Sequence, residues 1–232
     1  RLEHGWLLGS GTMANETALK IIRQKKLPAT RIFAFSDCFA GRSTAMQEVT
    51  DNPKYREGQP TSGEVTHLPF YDSELGPDAS AEITIRRMEE EIARQPGKYA
   101  GLVIELVQGE GGIRYAPREW YVKLFESAKK SGLAIWIDEV QTFGRLERLF
   151  AYQHFGLEEY VDVVTIGKLL QACMTLYSDE FNPRAGLVAG TFTGSAAALR
   201  TGRRIVETLT REGYYGPDGR IATLSKRFRD GI

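Results

Sequence analysis

The chain has 232 residues, of which 42% are hydrophobic, and its 30 basic and 30 acidic side chains give a formal net charge of zero. This length allows one large globular domain with a substantial core, and the charge balance argues against nucleic acid or a membrane surface as the main partner. The two cysteines, Cys38 and Cys173, are too few for a disulfide framework and suit a reducing compartment, so we expect a cytoplasmic protein.

Helical and extended patterns alternate along the chain. Apolar stripes at helical spacing predict four helices, over residues 13–26, 80–95, 117–131 and 195–211. Short apolar runs predict five strands, over residues 31–35, 65–70, 100–107, 133–137 and 161–166. Residues 1–11 are predicted to be a short lead-in, and residues 169–182 have neither pattern and are predicted to be irregular. The alternation indicates an α/β fold with a mostly parallel, doubly wound sheet.

Two reactive side chains follow two of the predicted strands. Asp138 comes directly after the strand at 133–137, and Lys168 follows the strand at 161–166. Because the carboxyl ends of parallel strands meet at one sheet edge, where ligands collect, we expect both side chains at one site. A carboxylate could keep a ring nitrogen protonated while a lysine forms a Schiff base with an aldehyde. Alternatively, Asp138 is only a helix cap and Lys168 a solvated side chain.

A glycine-containing loop opens the first predicted helix. The loop runs from Gly9 through Gly11 to Thr12, and free N–H groups at such a helix start favour an anion such as phosphate.

The same residues allow a dinucleotide interpretation. Gly9, Gly11 and Ala14 fit the pattern G-x-G-x-x-[GA], and Asp37 follows the next predicted strand, where a ribose-binding acid could lie. Against it, only residues 6–8 precede the glycines as a poor first strand, and a nucleotide fold leaves Asp138 and Lys168 without a role.

Four further side chains are candidates at the same edge. Phe39 could stack on a planar ring, although its spacing equally suits the core. Val140 should face the same side as Asp138 in an extended segment. Gln141 could reach a ring hydroxyl, and Glu110 lies in a glycine-rich turn where spacing alone suggests a solvated residue. The histidines are scattered without metal-ligand spacing, so no metal site is predicted.

Several motifs occur together in a characteristic order. They are Ser10-Gly11-Thr12, Phe39-Ala40-Gly41-Arg42, Glu105-Leu106-Val107-Gln108-Gly109-Glu110, Asp138-Glu139-Val140-Gln141, Thr165-Ile166-Gly167-Lys168 and Gly190-Thr191-Phe192. In this order they closely resemble the class III pyridoxal-phosphate-dependent aminotransferases, the group that includes ornithine, acetylornithine and 4-aminobutyrate aminotransferases. The resemblance covers nearly the whole chain and implies the type I transferase large domain, with a mostly parallel, seven-stranded sheet and helices on both faces.

The resemblance implies roles around the cofactor ring. Lys168 resembles the Schiff-base lysine, which also moves the proton of the substrate carbon. Asp138 resembles the partner of the pyridine nitrogen. Phe39 and Val140 resemble the two residues that enclose the ring, and Gln141 resembles the one near its hydroxyl.

It also implies roles at the two ends of the cofactor. Gly11 and Thr12 resemble the phosphate cradle, and Thr191 resembles the threonine that reaches the phosphate of the neighbouring subunit, which implies a homodimer. Glu110 resembles the acid that gates an arginine for substrate carboxylates. That arginine belongs to a C-terminal domain, so we expect residues 1–212 to be the large domain and 213–232 the start of a truncated small domain.

The chain departs from the family pattern at several places around the pocket. Met13 replaces an acid, Ala40 a histidine and Leu106 a proline, and residues 169–174 replace the usual glycines after Lys168. None removes the lysine or the aspartate, but together they leave the substrate open. The expected activity is transfer of an amino group from an amino acid or ω-amine donor to a 2-oxo acid. Alternatives are an aminomutase, racemase or decarboxylase on the same fold, or a dinucleotide-binding domain.

Overall fold

The computed structural model describes residues 2–191 and 193–231. Seven strands form one sheet, and two short strands form a separate hairpin. The strands are β1 (His4–Leu8), β2 (Arg31–Phe35), β3 (Val65–Leu68), β4 (Tyr99–Ile104), β5 (Val107–Gln108), β6 (Arg114–Tyr115), β7 (Ala134–Glu139), β8 (Val163–Ile166) and β9 (Cys173–Tyr177). The order in the large sheet is β1-β9-β8-β7-β4-β2-β3, and β5 pairs with β6.

The helices lie between these strands and beyond the last one. They are α1 (Gly11–Lys25), α2 (Met46–Val49), α3 (Gly76–Arg94), α4 (Arg118–Lys130), α5 (Ala151–His154), α6 (Ala196–Arg211) and α7 (Arg220–Asp230). In the described ranges, no helix has the length and apolar character needed to cross a membrane.

The five strands β3, β2, β4, β7 and β8 run parallel, as the apolar runs predicted. All residues of β4, β7 and β8 are buried because the sheet is covered on both faces. One core cluster includes side chains of α1, and the other includes those of α3 and α4. The predicted α/β fold, with a seven-stranded, mostly parallel sheet, is therefore confirmed.

Two strands at the other edge of the sheet were not predicted. Residues 4–8, within a predicted lead-in, and residues 173–177, within a segment predicted to be irregular, form the antiparallel pair of β1 and β9, and β9 continues the sheet antiparallel to β8. Both strands are only partly buried. They therefore lack the continuous apolar run that identifies a central parallel strand, and cross-strand pairing stabilises them instead.

Glu139, the last residue of β7, organises the crossover that follows. Its side chain is fully buried and accepts hydrogen bonds from the N–H groups of Ala151, at 2.7 Å, and Tyr152, at 3.0 Å. The hydroxyl of Thr142 also donates to it, at 3.4 Å. These bonds hold the start of α5, and burial raises the pKa of Glu139 to about 7.

We expect Glu139→Gln to flatten the dependence of stability on pH. Because the pKa of Glu139 is higher in the folded chain than in the unfolded one, its contribution to stability is full below pH about 4.5 and is lost as pH rises through about 7. Glutamine does not ionise, so the free energy of unfolding should fall less between pH 5 and pH 8. Urea denaturation across that range measures the effect, and parallel curves for the two proteins would contradict it.

Candidate active site

A cavity opens at the carboxyl ends of β2, β4, β7 and β8, beside the start of α1. Its volume is about 270 Å³. The lining combines carboxyl groups, one amine, one thiol, amides and an aromatic ring. The lining residues are Gly11, Thr12, Asn15, Phe39, Ala40, Glu105, Glu110, Asp138, Val140, Gln141, Lys168 and Cys173. It is therefore a ligand site of the kind expected at this edge of an open α/β sheet.

The phosphate-binding prediction concerns the first turn of α1. Ser10 caps this helix, and its hydroxyl accepts a hydrogen bond from Met13 N–H at 3.2 Å. The N–H groups of Gly11 and Thr12 precede the first helical hydrogen bonds and have no acceptor within the helix. Both residues line the cavity. The helix start therefore offers an anion two N–H groups, the Thr12 hydroxyl and the positive end of the helix dipole.

Glycine is required at position 11 by close packing. A Cβ atom there would lie 2.6 Å from Cγ1 of Val140, whereas one at Gly9 would meet nothing within 4 Å. We expect Gly11→Ala to displace Val140 or α1 at a cost of about 1–3 kcal/mol, and to weaken binding of inorganic phosphate. Gly9→Ala is the matched control and should change neither value. Thermal unfolding and phosphate titration measure both, and identical behaviour of the two variants would refute the prediction.

Asp138 lies at the bottom of the cavity and is 4% exposed. Its carboxylate accepts hydrogen bonds from the side-chain amide of Asn15 at 2.7 Å, from Val140 N–H at 3.0 Å and from the Thr165 hydroxyl at 3.4 Å. Burial raises its pKa to about 6, although the donors and the charge of Lys168 act in the opposite direction. It is therefore a charged acceptor held in one orientation at the cavity floor.

Two amide oxygens at the cavity have no hydrogen-bond partner among the described residues. They are Oδ1 of Asn15 and Oε1 of Gln141, both of which are buried. Leaving a buried polar atom unpaired costs about 1–3 kcal/mol. Both residues line the cavity, so a ligand that donates hydrogen bonds could compensate for this cost.

Lys168 adopts a strained backbone conformation at the mouth of the cavity. Its φ angle is +45°, in the left-handed region, and it begins a short 3-10 turn after β8. This turn is held by hydrogen bonds that Gln171 donates to the Lys168 carbonyl, at 3.0 Å from the backbone and 3.1 Å from the side chain. Such strain in a non-glycine residue costs about 1–3 kcal/mol and is typical of functional positions. The side chain is exposed and belongs to the cavity lining.

Phe39 and Val140 form apolar parts of the wall. The half-buried Phe39 ring contacts Tyr55 edge-on, with ring centroids 5.6 Å apart. The guanidinium of Arg42 lies 4.3 Å from the Tyr55 centroid and 5.8 Å from that of Phe39. These contacts hold Phe39 at the cavity rather than in the core.

Two acidic side chains lie above Asp138 in the lining. Glu105 follows β4 and is 7% exposed, and burial together with the charge of Asp138 raises its pKa to about 8. Glu110, on the glycine-rich turn between β5 and β6, is exposed and also lines the cavity. The turn therefore brings a carboxyl group to the opening, as the resemblance implied.

Most of the predicted site residues share this cavity. Those in the lining are Gly11, Thr12, Phe39, Glu110, Asp138, Val140, Gln141 and Lys168. Thr191 is exposed and is absent from the lining, and the neighbouring Phe192, part of the same motif, lies outside the described residues.

Sequence reasoning missed three residues of the lining. Asn15 lies one helical turn after Gly11, on the same face of α1. Glu105 lay inside the strand predicted over residues 100–107, and only the observed end of β4 at Ile104 shows it as an acid directly after a buried strand. Cys173 was assigned to an irregular segment, and its place in β9 became visible only in the structure.

The dinucleotide interpretation is not favoured by the position of Asp37. This residue lies outside the cavity lining and pairs with Arg114 through an N–O distance of 2.5 Å. The strand before Gly9 is β1, which pairs only with β9 in the described sheet, whereas the dinucleotide fingerprint follows a parallel βαβ strand.

Comparisons with known proteins agree on one family. The sequence model for the family described as Aminotransferase class-III matches residues 3–221. Diaminobutyrate–2-oxoglutarate transaminase of Bordetella parapertussis is 31% identical over 207 residues, which are 86% of this chain and 47% of that protein. Acetylornithine aminotransferase of Mycolicibacterium smegmatis is 31% identical over 231 residues, which are 96% of this chain and 54% of that protein. The chain thus spans about half the length of the curated relatives it matches.

Solved structures show the same fold. An (S)-enantioselective omega-transaminase from Thermomicrobium roseum is similar with a TM-score of 0.82 and 25% identity, over 91% of this chain and 52% of that one. Lysine aminotransferase from M. tuberculosis has a TM-score of 0.83 and 23% identity, over 91% of this chain and 54% of that one. The α/β sheet and its helices are therefore those of known transaminase structures.

Proposed function

Because this chain belongs to the class III aminotransferase family, we propose that it is the pyridoxal-phosphate-binding part of a transaminase, which moves an amino group from an amino acid or ω-amine donor to a 2-oxo acid. The observation that carries the proposal is the cavity that Asp138 and Lys168 share. A buried carboxylate and an exposed amine at one site suit a cofactor with a basic ring nitrogen and an aldehyde.

The chain's residues fit pyridoxal phosphate. The free N–H groups at the start of α1 could donate hydrogen bonds to the cofactor's phosphate. The unpaired Oε1 of Gln141 could accept a hydrogen bond from its ring hydroxyl. Asp138 would hold the ring nitrogen protonated, while Phe39 and Val140 would enclose the ring. When bound, the cofactor supplies an aldehyde that takes up the amino group and a ring that withdraws electrons from the substrate carbon.

Residues of the chain would bind the aldehyde, move the proton and stabilise the charge. The lining contains one amine, that of Lys168, and its Nζ would bind the aldehyde between turnovers and move the proton at the substrate carbon. Asp138 would stabilise positive charge at the cavity floor, and Asn15 would hold its carboxylate in place through the 2.7 Å hydrogen bond. Burial raises the pKa of Asp138 to about 6, and a cation held beside it would lower that pKa.

The proposal extends to the parts of the protein around the cavity. Residues 1–212 would form the cofactor domain, and residues 213–232, which include α7, would begin the small domain. Thr191 would reach the phosphate of a second subunit in a homodimer, since the residue is exposed and is absent from the lining of its own cavity. Glu110 would gate an arginine that binds the carboxylates of small amino-acid and oxo-acid substrates. Cys38 and Cys173 are both free thiols, which supports a cytoplasmic location.

An amino-donor screen on the full-length protein tests the function. The protein, supplied with pyridoxal phosphate, is incubated with amino acids that carry a terminal amine and with a 2-oxo acid. We expect the oxo acid to become its amino acid in equal amount to the donor consumed, with ping-pong kinetics. Formation of an isomer of the donor or of carbon dioxide, without amino acid from the acceptor, would instead favour an aminomutase, racemase or decarboxylase.

A further inference from the structure

Glu105 connects two loops that lie side by side in the cavity wall, where the side-chain amide of Gln108 also donates a hydrogen bond to the Ser36 carbonyl at 2.7 Å. Its Oε1 accepts a hydrogen bond from Phe39 N–H at 2.9 Å, in the loop after β2. Its Oε2 accepts one from Gly109 N–H at 3.4 Å, in the turn that carries Glu110. Glu105 itself follows β4, a central strand whose residues are all buried. One carboxylate on the rigid sheet therefore anchors both loops.

The surroundings of Glu105 make ionisation of its carboxyl group unfavourable. The carboxyl group is 7% exposed and faces the negative charge of Asp138 from β7, the thiol of Cys38 from the loop after β2, and Lys168 from the turn after β8. Glu110 lines the same cavity. Lys168 is the single cation in this set, so the sheet edge keeps two buried carboxyl groups beside one amine.

We propose that Glu105 is a positioning residue, whose ionised carboxylate fixes the Phe39 loop and the Gly109–Glu110 turn relative to each other in the cavity wall. Its importance for amino transfer rests on the proposed function, whereas the anchoring itself does not. Glu105 acts through Phe39 and Glu110 and need not touch the reacting atoms.

The anchoring depends on charge because two amide donors need two acceptor oxygens. An ionised carboxylate offers both. A protonated carboxyl group, or a glutamine amide, keeps one good acceptor, and the other end becomes a donor that faces an N–H group. The bond to Gly109 is the longer of the two, so it should be lost first. The Gly109 N–H is then bonded when Glu105 is ionised and loses this bond when Glu105 is neutral.

Amide hydrogen exchange on the cofactor-free protein tests this directly. In Glu105→Gln at pH 9, where the wild-type carboxyl group is largely ionised, we expect exchange at Gly109 to be about tenfold faster than in the wild type, as loss of one charge-assisted hydrogen bond implies, with a smaller change at Phe39. Glu48→Gln is the matched control. Glu48 is also a buried acid that accepts two backbone N–H bonds, from Ser62 and Glu64, but it is absent from the cavity lining. Its variant should speed exchange at Ser62 and leave Gly109 unchanged.

Cofactor affinity provides a second readout. Pyridoxal phosphate titrated into the two variants at pH 9 should bind about tenfold more weakly to Glu105→Gln and with wild-type affinity to Glu48→Gln. If Glu105 only stabilised the fold, both variants would lose stability together and their affinities would stay equal, which would overturn the positioning role.

The pH dependence of the wild-type protein keeps the proposal testable if Glu105→Gln does not fold. Because the pKa of Glu105 is about 8 in the cofactor-free cavity, protection of Gly109, corrected for intrinsic exchange, should rise between pH 7 and pH 9. Constant protection over that range would overturn the proposal. If the wild-type protein transfers no amino group but Gly109 behaves as expected, the proposed function fails and the anchoring by Glu105 stands.

Discussion

Lys168→Ala is expected to lower kcat for amino transfer by about 10³-fold or more. Loss of a positioned acid–base group costs about 10²–10⁴-fold, and this substitution also removes the amine that would bind the cofactor aldehyde. The lining holds no other amine to replace it. Lys20→Ala is the control, because Lys20 is exposed on α1 and absent from the lining. Its kcat should equal that of the wild type.

Two measurements separate loss of chemistry from loss of structure in this variant. Thermal unfolding of cofactor-free Lys168→Ala should remain cooperative, because the side chain is exposed, and should show only the loss of the charge interaction of Lys168 with Asp138 and Glu105. A small primary amine added to the assay should restore part of the rate, since it can carry the proton that Nζ would carry. Full turnover in Lys168→Ala, or an equal loss in Lys20→Ala, would exclude Lys168 as the acting amine.

Asp138→Asn is expected to lower kcat/KM by about 10²–10⁴-fold, because removal of one partner of a buried charge pair costs about 3–5 kcal/mol. The substitution keeps the shape of the side chain but removes the charge that would hold the ring nitrogen protonated. Pyridoxal phosphate should also bind more weakly, by titration of the cofactor-free protein.

In Asp138→Asn, the free energy of unfolding should change much less than the activity. The raised pKa of Asp138 shows that its charge is unfavourable in the cofactor-free fold, so Asp138→Asn should not lower the free energy of unfolding at pH 8 by more than about 1 kcal/mol. Asp162→Asn gives the contrast, because Asp162 is buried outside the cavity and accepts hydrogen bonds from Ile135 N–H and Lys129. It should lose stability and keep kcat. Equal kinetic losses in both variants would contradict the role of Asp138.

The central strands were predictable because burial on both faces leaves a continuous apolar run in the chain. Residues 133–137 and 161–166 show it, and the parallel geometry then brings Asp138 and Lys168 to one edge. The antiparallel strands β1 and β9 were not predictable in this way. Most of their residues are only partly buried, so pairing partners rather than local pattern decide that they are strands.

The site residues also divide into those with a local sequence signal and those without one. Local pattern pointed to Gly11, Asp138 and Lys168, because a helix start and two strand ends have recognisable chain signals. Asn15 and Glu105 were passed over, since their function depends on contacts made across 123 and 66 residues of chain, with Asp138 and Phe39 respectively.

The order of apolar runs, glycines and charged residues along the chain was sufficient to establish the fold class and the family it resembles. The apolar runs indicate which segments are buried, and the glycines indicate which backbone positions need conformational freedom. Tertiary structure alone decided which carboxyl groups become buried beside each other, which amide oxygens are left unpaired, and that one glutamate anchors two loops. Those properties arise from solvent exclusion and from distances between residues far apart in the chain, and neither exists until the chain has folded.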